Sequence, residues 1–128
     1  GDYHTKNIML QDGEVILIDM DTLAVGHPVL EFASIYNAYV GFHALDHSTL
    51  KDFLGIEYDT AQELWAETLR LYFETDDKEI LAYREKQAKT VGLIRLLRRT
   101  IRRNGSPEFI KYCKTELCNV ARELDTLI

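Results

Sequence analysis

Asp2 and Asn7 stand five positions apart at the start of the chain, and a second aspartate, Asp19, closes the second of two short apolar runs. Amide and carboxylate oxygens are hard donors that suit Mg2+, which takes few protein ligands and fills its shell with water and phosphate oxygens. Asn7 and Asp19 are therefore candidate metal ligands. Asp2 would then be free to accept a proton from a hydroxyl. That division of labour, a metal to hold phosphates and a base to orient a nucleophile, is what phosphoryl transfer from a magnesium–nucleotide complex requires. Asp and Asn also favour loops and strand ends for structural reasons alone, so at this point both readings stand.

The elements around these residues decide whether they can meet. Asn7–Leu10 and Val15–Ile18 are short apolar runs flanking Gln11-Asp12-Gly13-Glu14, and the Asp-Gly pair predicts a hairpin turn because glycine accepts positive φ. A hairpin folds the chain back and returns Asp19 to the neighbourhood of Asn7. From Asp19 to His27 the pattern reads as loop. Everything beyond reads helical: one helix from Pro28 toward Gly41, a short one capped by Ser48 and ended by Gly55, and one opened by the capping box Thr60-Ala61-Gln62-Glu63. The longest begins at Asp76 or Asp77 and runs to Arg103, stopped by Asn104-Gly105; a last one starts at Ser106-Pro107. The expected fold class is mainly α with one small β-hairpin, an α+β arrangement and not an α/β sheet. A lone hairpin is marginal in water and must pack on the helices.

Composition narrows the function classes. The 128 residues suit a single domain or one part of a larger one, and 46% of them are hydrophobic, ordinary for a globular chain. A net charge of −6 argues against bulk affinity for nucleic acid or an anionic membrane. Cys113 and Cys118 lie roughly 140° apart around a helix, so neither a disulfide nor a zinc knuckle is expected. Buried or half-buried free thiols suit a cytoplasmic protein. No apolar run approaches the length that spans a bilayer.

The stretch GDYHTKNIMLQDGEVILIDMDTLAVGHPVLEFA resembles the catalytic core of the aminoglycoside phosphotransferase and choline kinase-like family, relatives of the protein kinases. That family carries H-G-D-x-x-x-x-N, then an I-D-F-like metal motif, then a G-D-P-x-x-D-L-A-like segment that opens a helix. Gly1-Asp2 and Asn7 match the first motif, Ile18-Asp19 the second, and Gly26, Pro28 and Ala33 the third. The resemblance implies Asp2 as catalytic base, Asn7 and Asp19 as Mg2+ ligands, ATP or GTP as donor, and a small-molecule hydroxyl compound as acceptor. Met20 stands where an aromatic is usual, His27 where Asp is common, and Glu31 for the Asp of the helix-opening segment. Residues 34–128 resemble the family's helical lobe only loosely.

By this resemblance residues 1–128 form one domain, the C-terminal lobe of a kinase-like phosphotransferase. Residues 1–27 would carry the catalytic loop, hairpin and metal loop, and 28–128 the helical subdomain. The sequence holds no Gly-rich loop, strand lysine or αC glutamate. The expectation is a fragment without its N-terminal nucleotide-gripping lobe and inactive alone, with self-association through the face that lobe would cover.

Other features admit two readings each. His4 lies inside the catalytic loop and lines the substrate pocket or serves structure; Asp21 is a further carboxylate near the metal or a loop residue. Arg95, Arg98, Arg99, Arg102 and Arg103 form a stripe on the long helix. It is either a solvated face opposite Ile94, Leu97 and Ile101, or the anion-binding surface of a non-catalytic helical module, the alternative to an enzyme. His43 and His47 have helical spacing but no third metal ligand near. Tyr36, Tyr39, Trp65, Tyr72 and Phe73 read as core more than as a ligand cage.

Overall fold

The structure, a computed structural model, describes residues 2–127. Two strands, β1 (Ile8–Gln11) and β2 (Glu14–Leu17), form an antiparallel hairpin. Among the described residues six α-helices follow: α1 (Pro28–Tyr36), α2 (Phe42–Leu45), α3 (Thr49–Leu54), α4 (Tyr58–Phe73), α5 (Lys78–Arg102) and α6 (Pro107–Ala121). The mainly α class with one small hairpin is therefore correct.

The hairpin register is set by its turn. Asp12 and Gly13 both take positive φ, 52° and 85°, the pair of left-handed residues that a two-residue turn between twisted strands requires. Gln11 then faces Glu14 and Ile8 faces Leu17. The ladder extends one step further, Ile18 N–H donating to the Asn7 carbonyl at 2.9 Å. Neither strand holds a fully buried residue, and the strands contact chiefly each other, so the expected packing of the hairpin on the helices is not seen among the described residues.

The helix ends show which residues act as caps. Asp77 opens α5 by accepting from the N–H groups of Glu79 and Ile80, and Ser106 opens α6 by accepting from Phe109. His27 caps α1: its Nδ1 accepts from Val29 N–H at 3.2 Å, the role an Asp would take at that position. Two expected caps fail. Thr60 lies inside α4, which begins two residues earlier at Tyr58. Ser48 precedes α3 but its hydroxyl caps nothing; Asp46 instead accepts from Ser48 N–H at 2.9 Å.

The helix predicted from Pro28 to Gly41 changes pitch part-way. After Tyr36 the chain widens into a π turn, Asn37–Gly41. Asn37 is buried and donates Nδ2 to the Gly92 carbonyl of α5 at 3.1 Å, a polar bolt between the two helices. A Cβ on Gly92 or Gly41 would lie 2.8 Å from Asn37 Oδ1, so both glycines are required for that approach.

The main core gathers Phe32, Ile35, Tyr36 and Tyr39 with Leu50 and Leu54 of α3 and Ala61, Trp65 and Leu69 of α4. Each large side chain buried here contributes about 1.5–3 kcal/mol. Of the aromatics read as core, Tyr36, Tyr39 and Trp65 are buried and Phe73 is partly buried against them, but Tyr72 is exposed; Phe32 stacks on Phe73, and Tyr36 meets Trp65 edge-on at 5.6 Å. A second cluster joins Leu93 and Leu96 of α5 to Phe109 and Cys113 of α6. Cys113 is buried, but Cys118 is exposed, contrary to expectation, because α6 packs only one face on α5.

Candidate active site

The loop that precedes β1 is tied shut by Asn7. After an extended His4 the chain makes a 3-10 turn, Thr5–Asn7, and Asn7 N–H donates to the His4 carbonyl at 2.9 Å. The Asn7 side chain reaches back along the same loop. Its Nδ2 donates to the Asp2 carbonyl at 2.9 Å and lies 3.4 Å from the Asp2 carboxylate. With the amide nitrogen used in this way, Oδ1 is the atom Asn7 can offer to a cation.

Asp19 arrives from the other side of the hairpin. Because Ile18 pairs with Asn7, the next residue must leave the ladder beside the loop. Asp19 takes φ 58° and ψ 53°, a left-handed conformation that aspartate tolerates better than most residues and that recurs at functional sites. A 3-10 turn, Met20–Thr22, then brings Asp21 around. The Asp19 carboxyl is held above its ordinary range, first by a hydrogen bond and repulsion from Asp21, then by slight local desolvation and by the charge of Asp2, although the side chain is exposed. Carboxylates crowded in this way favour a proton or a cation between them.

Asp2, Asn7 and Asp19 line one cleft of about 250 Å³. Ile18, Met20 and Leu23 supply its apolar wall. Three further lining residues, Tyr3, Thr22 and Glu31, were not singled out as site residues in the sequence. For Glu31 a signal existed: it occupies the helix-opening position at which the family motif has Asp. Gly1, matched with Asp2 and Asn7 to the H-G-D-x-x-x-x-N motif, lies outside the described residues.

The donor set fits Mg2+ more closely than a transition metal. Among the described residues no three His, Cys, Asp or Glu side chains converge on a metal position. An amide oxygen with one or two carboxylates is nonetheless the sparse, all-oxygen set that magnesium uses when substrate phosphates complete its shell. His43 and His47 do not form a site: their rings stack at 4.5 Å, and His43 stacks again on Tyr58 at 3.8 Å.

His4 stands behind Asp2 and does not line the cleft. It is buried, its ring meets Phe53 edge-on at 5.1 Å, and its Nε2 lies 3.6 Å from Asp2 Oδ1.

A model of the phosphotransferase enzyme family matches residues 1–64. The chain belongs to that family. The match covers half of the sequence and extends the resemblance past α1 into α4. No curated protein matches the chain, and no solved structure does. Among the described residues, no helix is long and apolar enough to cross a membrane.

Proposed function

We propose that residues 2–31 carry the base and metal ligands of a phosphotransferase that moves a phosphoryl group from ATP or GTP to the hydroxyl of a small molecule. The observation that carries this reading is the convergence of Asp2, Asn7 and Asp19 on one cleft, from positions separated by a loop and a hairpin. Asp2, with its side chain 57% exposed, accepts the proton of the acceptor hydroxyl as that oxygen attacks phosphorus. Asn7 holds the loop through its bond to the Asp2 carbonyl, and His4 fixes the carboxylate from behind. Asn7 Oδ1 and the Asp19 carboxylate would hold Mg2+, with Asp21 beside them, and the ion would neutralise charge on the transferred phosphates.

A cleft of about 250 Å³ falls below the range of about 300–1,000 Å³ that encloses a whole ligand. It suits the reacting phosphate and acceptor hydroxyl, while the rest of the nucleotide needs surface beyond it. We assign the lobe role on the same ground: these residues form the base-and-metal side of a kinase-like site. The exposed apolar residues of the hairpin and following loop, Leu10, Val15, Leu23 and Val25, supply a surface for contact with further protein, including another copy of this chain.

Calorimetric titration of Mg–ATP into the chain tests the reading. Heat is expected from the wild type, retained in Asp2→Asn and lost in Asp19→Asn. No heat from the wild type, or equal heat from Asp19→Asn, would refute the assignment of the metal site to these residues.

A further inference from the structure

The arginine stripe is solvent-exposed along its whole length, yet its side chains do not simply diverge into water. Arg95, Arg98, Arg99, Arg102 and Arg103 together line a single concavity of about 340 Å³. Elsewhere in the molecule Lys51, Arg70, Lys86 and Lys89 each take a carboxylate partner. Among the described residues, no carboxylate lies within ion-pair distance of any of the five arginines. This holds in a chain with 21 acidic residues against 15 basic ones.

Like charges three and four residues apart destabilise a helix by about 0.2–0.5 kcal/mol per pair. The helix dipole offsets this only in the last turn, which includes Arg99 and Arg102 but neither Arg95 nor Arg98. Arg95 is anchored, donating to the Leu30 carbonyl at 2.8 Å and to the Ser34 hydroxyl. Among the described residues, the remaining four have no anionic partner. Nor do Ile94 and Ile101 form a buried opposite face, since they are 44% and 50% exposed.

A second, apolar compartment of about 450 Å³ adjoins the first and shares Arg99 and Arg103 with it. Phe42, Phe53, Leu96 and Phe109 line it, and Ser106 stands at its edge. Arg99 lies over the Phe42 ring at 5.4 Å, so its guanidinium is already oriented at the boundary. Gly105 closes the turn between α5 and α6; a Cβ there would lie 2.7 Å from Thr100 Cγ2. The nearby Glu108 carboxylate accepts from the Ser106 hydroxyl at the start of its own helix. The result is an apolar groove with a cationic mouth.

We propose that this groove, formed by α2, α3, α5 and α6, binds a small amphipathic anion: a phosphate, sulfonate or carboxylate on an aromatic or acyl body. Arg99 and Arg103 clamp the anion and the three phenylalanines take the apolar part. The groove shares no lining residue with the Asp2 cleft, although Phe53 packs on His4, and it does not depend on the phosphotransferase reading. The net charge of −6 disfavours the other polyanion, a nucleic acid, which needs an extended basic surface.

The probe is 1-naphthyl phosphate, titrated calorimetrically into the chain, with 1-naphthol and inorganic phosphate as the two halves of the ligand. Saturable one-to-one binding is expected, about tenfold or more tighter than either half, the gain of one charge-assisted hydrogen bond or better. Arg99→Gln/Arg103→Gln should lose about the same factor, and Asp19→Asn should lose none. Equal affinity for naphthol would reduce the groove to non-specific apolar adsorption and overturn the proposal; this comparison needs no variant. Absence of naphthyl phosphate binding, with salt-sensitive binding of poly(U) in its place, would equally overturn it in favour of a polyanion surface. Circular dichroism establishes that the double variant is folded before its loss is counted.

Discussion

Asp19 holds three properties in one side chain: a left-handed backbone, a crowded carboxylate and a place in the cleft. Asparagine also tolerates the left-handed region, so Asp19→Asn removes charge and leaves the backbone geometry intact. Millimolar Mg2+ is expected to raise the melting temperature of the wild type, since a ligand that binds only the native state stabilises it. The same addition should leave Asp19→Asn unchanged, as thermal scans with and without the ion would show. Asn7→Ala goes further, because it removes both the proposed metal ligand and the bond that closes the loop on the Asp2 carbonyl. It should abolish the Mg2+ effect and also lower the metal-free melting temperature.

At the scale of elements, the α1–α5 contact depends on backbone proximity. Gly92→Ala would place a methyl 2.8 Å from Asn37 Oδ1 and 3.3 Å from the Ala33 carbonyl, and neither neighbour is free to move. A loss of about 1–3 kcal/mol is expected for such overpacking, measured by denaturant unfolding. The opening of α3 gives a pH-dependent counterpart. Hydrogen bonds from Ser48 hold the Asp46 carboxyl below its ordinary value of 3.8. A depressed carboxylate contributes stability that is complete above that ordinary value and is lost as pH falls through the lower, native one. Asp46→Ala should therefore melt earlier than the wild type at pH 7, with the difference closing in strong acid. A difference that persists unchanged at low pH would show that the carboxylate charge is not its source.

Across the whole molecule, stability is distributed unevenly. α5 packs along α1 on one side and α6 on the other and carries the buried residues Gln87, Ala88, Thr90, Val91, Leu93 and Leu96. The hairpin has its backbone ladder but exposes Leu10 at 74% and Val15 at 69%. Amides bonded in an element with few buried apolar contacts exchange through local opening, not global unfolding. Hydrogen exchange should accordingly find the β1–β2 amides exchanging fastest among the hydrogen-bonded elements and the middle of α5 slowest. Mg2+ should slow Ile18 in particular, because its N–H donates to Asn7, next to the site.

Much of this was determined locally and was therefore readable in the sequence. Asp12-Gly13 sets the hairpin turn, Asp77 and Ser106 start their helices, and Asn104 with positive φ follows the end of α5; each depends on a residue and its neighbours a few positions away. The spacing of Asp2, Asn7 and Asp19 belongs to the same class, since one hairpin suffices to bring them together. The tertiary structure decided the rest. Thr60 lost its capping role because α4 began two residues sooner at Tyr58, which packs against the core with Trp65 and Leu69 following. The π turn at Asn37 depends on two glycines, one of them on another helix. The arginine stripe became a groove only where α6 and the phenylalanines of α2 and α3 met it. Spacing along one helix specifies which residues share a face, but not what lies opposite that face, because the opposing surface is supplied by chain distant in sequence.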